Sequence, residues 1–297
     1  MKHKIFWRTG QEITPETFIQ ADNYSCSQHN LIRRLIAQNS YGLLPQTETD
    51  PSPFTVKTTL NNKDISIEQL VCSGTTGAGY LVETENAMLA SLPQKHLSIP
   101  DSNAKALYIV LRINPFEQVL IEPVMDEEAP AAHADYELYI RELDRIGEDE
   151  LAIVKIDNSH NAPQIDPNYI PPCMSVNACS KLWETFNLFK QLLTEILSHI
   201  EHKEGPFGKT IYPLTMLHCE LDEFPVSSPP IALLRLIKRI ILTYQFFLPD
   251  VRAITSPDWL RAYNHNDMSI TFKSLLSYLQ NVSRIVGQGE EDFTPKI

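Results

Sequence analysis

NYIPPCMSVNACSKLWETFNLFKQLL, Asn168 to Leu193, is the stretch where the chain changes its grammar from strand to helix. Before it, short β-branched and aromatic runs are punctuated by Asn, Asp, Gly and Pro. After it, apolar residues recur at Leu182, Phe186, Phe189, Leu193, Leu197 and Ile200, the three-and-four spacing of a helix face. Pro171-Pro172 holds the backbone extended and stops a helix from running through. Ser175 stands where an N-cap belongs. The sequence thus predicts a β module joined by a stiff connector to an α-helical module.

Working outward toward the N-terminus, strands are expected at Phe54–Leu60, Asp64–Cys72, Gly79–Glu83, Ala106–Ile113, Glu117–Glu122, Tyr136–Leu143 and Glu150–Asp157, with a hairpin turn at Asn61-Asn62. Short strands at this spacing suggest a β-sandwich. A helix precedes them, capped by Thr14 with Pro15 at its first position, carrying Phe18, Ala21, Leu31, Leu35 and Gln38, with Gly42 as its stop. Toward the C-terminus, helices are expected at Tyr212–Leu221, at Pro229–Leu248 behind Ser228, and at Met268–Val286 behind Asp267. With the helix that carries Leu182 to Ile200, they make an antiparallel bundle. The fold class is therefore α+β, an N-terminal β-sandwich followed by a C-terminal α-helical bundle. The expected boundaries are an N-terminal segment 1–45, a shell 46–168, a Pro-rich connector 169–175, the bundle 176–288 and a tail 289–297.

The composition excludes several classes of function. The chain has 297 residues, 21% charged and 43% hydrophobic, as a soluble two-domain protein would. Its most apolar run, Ile231–Leu248, is broken by Arg235, Lys238 and Arg239, and Met1-Lys2-His3-Lys4 leads into no export signal. Five unpaired cysteines, Cys26, Cys72, Cys173, Cys179 and Cys219, fit buried thiols in a reducing cytoplasm. The net charge is −12, and residues 61–170 account for it, with 7 Lys and Arg against 19 Asp and Glu. Such a surface repels nucleic acid and anionic lipid. It reads as a solvated face or as a docking face for a basic partner.

Sites of chemistry do not assemble. Gly74-Thr75-Thr76-Gly77-Ala78-Gly79 lacks the Gly-Lys-Ser/Thr ending of a phosphate loop and runs on into strand, so it is a turn. His199, His202, His218 and Cys219 form no completed metal set, and the acidic run 126–150 has no EF-hand spacing. No nucleophile has a convincing base, and no cofactor is expected. Trp183 reads as a core aromatic. Phe6, Trp7 and Phe18, close to the chain start, either tuck into the shell or mark a contact. The helix Ile231–Leu248 is apolar nearly all round, which predicts burial on several sides and a homotrimer contact through Ile237, Ile241, Tyr244 and Phe247.

Four motifs in order resemble the TssK family of type VI secretion baseplate proteins. Trp7-Arg8-Thr9-Gly10, with Ile13-Thr14-Pro15-Glu16-Thr17-Phe18 and Asp22-x-Tyr24, is similar to the start of that family. Tyr41-Gly42-Leu43 is similar to the Tyr/Trp-Gly-Leu that follows. Asp166-Pro167-Asn168-Tyr169-Ile170-Pro171-Pro172-Cys173 resembles its junction, and Tyr263-Asn264-His265-Asn266-Asp267-Met268, with Phe272, its bundle motif. The resemblance implies a sandwich shell like the shoulder of phage receptor-binding proteins, a bundle neck, a C-terminal head and a trimer. It also implies a shell that meets the wedge proteins TssF and TssG and a head that meets the membrane complex. Only Gly287 to Ile297 follows Val286, so a short variant with an indirect or altered membrane link is expected. Tyr169, Pro171, Pro172, Tyr263, His265 and Asp267 are expected to be structural. The function expected is a structural, non-enzymatic baseplate subunit. Another phage-like or contractile-tail receptor-binding adaptor is the alternative, and a hydrolase on a sandwich scaffold the remote one.

Overall fold

A computed structural model describes residues 4–36, 40–45, 54–85, 92, 95–121, 131–159, 162–204, 208, 211–248, 251 and 263–288. The expected positions Gln38, Glu122, Asp126 to Glu128 and the tail 289–297 lie outside them. The chain is a mixed α and β protein with two antiparallel sheets and, among the described residues, five helices. It divides into two compact units between Pro167 and Asn168, with Pro45 grouped with the second.

In the first unit, helix α1 spans Pro15–Ile36. Thr14 opens it: the backbone amides of Thr17 and Phe18 donate to the Thr14 carbonyl, and the Thr14 and Thr17 hydroxyls pair at 3.2 Å. Strands β1 (Gly42–Leu43), β2 (Phe54–Asn61), β3 (Asp64–Thr75), β4 (Leu81–Thr84) and β5 (His96–Ser98) follow. All the others pair antiparallel with β3, whose side chains alternate between buried and more exposed. The hairpin between β2 and β3 turns at Asn62-Lys63, one residue later than expected, because Asn61 still pairs with Asp64. Asn62 takes φ 56°, left-handed backbone that Asn tolerates.

The second sheet runs β7 (Ala131–Arg141), β6 (Ala106–Ile121), β8 (Glu150–Asp157) and β9 (Gln164–Ile165). The strands expected at 106–113 and 117–122 are one strand interrupted by a bulge. Its register with β7 shifts between Asn114 and Gln118. Pro115, lacking an N–H, breaks the ladder there, and Phe116 donates to the Asn114 side chain at 3.3 Å. Leu107 to Leu111 are buried on both faces of β6, as are Leu151 to Val154 of β8. The Tyr136 hydroxyl on β7 donates to the Glu83 carbonyl of β4 at 3.0 Å and accepts from its amide at 3.1 Å, joining the two sheets.

The second unit holds α2 (Ser180–Glu204), α3 (Ile211–Asp222), α4 (Pro230–Phe247) and α5 (Met268–Gln288). Ser175 does not cap α2 directly. It precedes a 3-10 turn, Val176–Ala178, and its hydroxyl bonds to the Asn177 side chain at 2.7 Å. Nor does Ser228 cap α4, where Pro229 occupies the cap and makes no side-chain bond. The apolar stripe of α2 uses Leu182, Phe186, Phe189, Leu193, Ile196 and Ile200, all buried, with Ile196 taking the place expected for Leu197. Phe189 meets Phe272 of α5, and the Ser283 hydroxyl of α5 donates to Glu195 of α2. Trp183, expected in the core, is partly exposed and tilts against Phe186.

Candidate protein interaction surfaces

The two motif segments that flank the helices are brought together. Tyr169 to Cys173 are buried in the second unit, and the Tyr169 hydroxyl donates to the Asn266 carbonyl at 2.7 Å. Pro171 offers its carbonyl to the Cys173 thiol at 3.2 Å. Beyond Asn266, the Tyr263 hydroxyl pairs with His265 Nδ1 at 2.7 Å and reaches Met268 Sδ at 3.2 Å. Asp267 is fully buried ahead of α5 and accepts from the Ser269 hydroxyl.

Buried polarity elsewhere is equally local. His218 of α3 bonds through Nε2 to the Tyr244 hydroxyl of α4 at 2.8 Å. Burial pushes the His218 pKa down to about 4, only partly opposed by the Asp222 carboxylate, and burial likewise raises that of Tyr244. Glu150 is buried on β8, where it accepts from Arg141 at 3.1 Å and from the Gly147 amide at 2.8 Å. Cys72, Cys173 and Cys179 are buried free thiols, whereas Cys26 is half-buried and Cys219 is exposed. Among the described residues, no three His, Cys, Asp or Glu side chains stand close enough to hold a metal ion. A shallow open groove of about 330 Å³ runs beside α1, lined by Cys26, His29, Asn30 and Arg33 against Leu81 and Ile113.

What the first unit does present is apolar surface. Phe6, Trp7 and Phe18 are 75%, 50% and 57% exposed, so none tucks into the shell. Helix α1 is turned inside out. Asn30 is its buried residue, with Ala21, Asn23, Tyr24, Cys26 and Ser27 half-buried before it, while Leu31, Ile32 and Leu35 are exposed with Phe18. Arg34 pairs with Glu148 at 3.5 Å, and the Asn30 carbonyl sits so close to Gly79 that a Cβ there would come within 2.5 Å.

Of the residues expected at a trimer contact, Ile237, Ile241, Tyr244 and Phe247, three lie inside the chain. Ile237, Ile241 and Tyr244 are fully buried inside the single chain, so they have no face left for another copy. Phe247 is half-buried. Periodicity marked α4 as apolar all round, and packing within the chain uses most of that circumference. The exposed large apolar residues of α4 are Leu242 and Phe246.

No family model matches the chain, and no curated protein matches it. Solved structures do. The chain is similar to the crystal structure of TssK, at 16% identity and TM-score 0.64 over 95% of this chain and 72% of that one. It is similar to a chain of the type VI secretion system TssK–TssF–TssG baseplate subcomplex, at 15% identity and TM-score 0.62, over 96% of this chain and 100% of that one. It also matches the baseplate complex from the type VI secretion system, at 14% identity and TM-score 0.57, over 95% of this chain and 69% of that one. At such identities the likeness is one of architecture, and the fold of this chain is the fold of TssK.

Proposed function

We propose that this chain is a structural, non-enzymatic subunit of a type VI secretion baseplate, working in the cytoplasm as a homotrimer. In this reading the two sheets are the halves of a sandwich shell, and α2 to α5 form the bundle that carries trimerisation. The shell binds wedge proteins of the TssF and TssG kind, and the bundle side leads toward the membrane anchor. One observation carries the proposal: a chain of a TssK–TssF–TssG subcomplex is matched over its whole length. Phe6, Trp7 and Phe18 are the proposed wedge contacts, supported by their exposure and by the outward apolar stripe of α1. A stripe of that kind on a folded surface is characteristic of a covered interface. The acidic balance of residues 61–170 favours a partner with basic flanks.

The test is co-expression of the tagged chain with TssF and TssG proteins of a type VI secretion system. Stoichiometric co-purification at physiological salt is the expected result. A folded trimer that captured neither protein would overturn the proposal.

A further inference from the structure

Cys173 and Cys179 flank the 3-10 turn Val176–Ala178 in the second unit, and both are buried, at 0% and 4% exposure. Cys179 is the residue that opens α2. Its φ of −142° and ψ of 135° are extended, and its carbonyl accepts from the Trp183 amide at 3.0 Å. Its sulfur faces the amides of Lys181 and Leu182, the position a Ser or Asp oxygen ordinarily takes at a helix start. The Cys173 thiol hydrogen-bonds to that same sulfur and also reaches the Pro171 carbonyl at 3.2 Å. The turn between the two cysteines is pinned to the segment ahead of α4: the Val176 amide donates to the Ser228 carbonyl at 3.1 Å, and the Asn177 amide to that of Val226 at 3.2 Å. Two reduced sulfurs are thus held in contact by the fold, one of them at the positive end of a 25-residue helix.

We propose that Cys173 and Cys179 form a peroxide-sensitive dithiol, in which Cys179 attacks the oxidant and Cys173 resolves it to a disulfide across the turn. The Cys179 thiolate attacks one oxygen of hydrogen peroxide; the S–O bond forms, the O–O bond breaks, and the departing hydroxide leaves as water with the proton Cys179 gave up. Cys173 then attacks the Cys179 sulfenic acid; the S–S bond forms, the S–O bond breaks, and the second hydroxide leaves as water with the Cys173 proton. The sulfurs lose two electrons, which the peroxide gains. The hydrogen bond from Cys173, opposed by burial and helped by the Leu182 and Lys181 amides, brings the Cys179 thiol down to about 7. A large share of it is therefore the nucleophilic thiolate at neutral pH. Cys72, buried in β3, is the contrast, since burial pushes its thiol up to about 12. Access selects the oxidant. Cys179 lies next to exposed Ser180, within reach of a molecule the size of water, but is too enclosed for a bulky disulfide such as glutathione disulfide. Once joined to Cys173, the Cys179 sulfur carries no charge, so α2 loses an anionic cap while its start is tied to the connector.

The full chain is exposed to a modest molar excess of hydrogen peroxide, then unfolded in denaturant with an alkylating reagent and digested with trypsin. No Lys or Arg lies between Lys155 and Lys181, so both cysteines fall on one peptide, Ile156–Lys181. Mass spectrometry is expected to find that peptide lighter by two hydrogens, unalkylated at either cysteine and restored by dithiothreitol. Its oxidation should be faster than that of Cys72 by about tenfold or more. In Cys173→Ser, dimedone is expected to trap a sulfenic acid at Cys179. In Cys179→Ser, which keeps a good capping residue, Cys173 is expected to stay reduced. A wild-type peptide that remains alkylated at both cysteines, or that gains oxygen on sulfur without the link, overturns the proposal. Oxidation of Cys173 at an undiminished rate in Cys179→Ser overturns it as well.

Discussion

Two constraints meet at Gly79. Its φ of 85° is one that side chains resist, and a Cβ would run into the Asn30 carbonyl of α1 at 2.5 Å. Gly79→Ala is expected to cost about 1–2 kcal/mol for the left-handed backbone alone. It should also loosen α1, seen as faster amide exchange in Asn23 to Asn30 than in β3. The sequence showed a turn here but not the helix resting on it, because that approach joins residues far apart in the chain. His218 is a second residue whose meaning needed coordinates. The sequence showed only that His218-Cys219 completes no metal set; in place, the His218 ring is bonded to the Tyr244 hydroxyl. Its folded pKa of about 4 lies below the unfolded value of about 6.5, so the unfolded chain takes up the proton first. This site's contribution is full above about pH 6.5 and is lost as pH falls toward 4, by up to about 3 kcal/mol in total. Urea midpoints measured at pH 7 and 4.5 should fall less in His218→Gln than in the wild type.

Elements were legible where a periodicity had one interpretation. The helices α3 and α5 and the strands β2, β3 and β8 lie within a few residues of the positions their patterns indicate. Strands of two or three residues, β1, β5 and β9, were missed, since so short a run has no period. The split expected in β6 reflected Pro115 correctly but took a bulge for a break. Helix α1 shows a deeper limit. Its apolar positions were found, yet a two-faced helix does not say which face its own domain takes, and here the domain takes the polar one. The Asp267 turn was placed correctly ahead of α5. Replacing Asp267 by Ala removes the acceptor of the buried Ser269 hydroxyl and should cost about 1–2 kcal/mol. Chemical denaturation measures this, and wedge capture should be unchanged; loss of capture at an unaltered midpoint would make the site a contact.

Across the whole molecule, the acidic excess falls in residues 61–170, whereas exposed large apolar side chains occur in both units. Deleting residues 1–12 removes Phe6 and Trp7 without touching a described strand or helix. The shortened chain is expected to keep its oligomeric state and melting temperature while losing at least tenfold in affinity for TssF and TssG, measured by titration calorimetry. Undiminished capture would move the wedge contact elsewhere. The hydrogen bond from Tyr169 to Asn266, which spans 97 residues, bears on a different matter, the order in which the protein is made. A ribosome adding about 5–20 residues per second needs roughly 5–20 s to travel that distance. Throughout this interval the first unit has its complete sequence, while Phe189 of α2 still lacks Phe272. During that interval the nascent chain holds the whole sequence of its first unit and only part of its second, so apolar helix faces such as that of Phe189 are expected to be transiently uncovered.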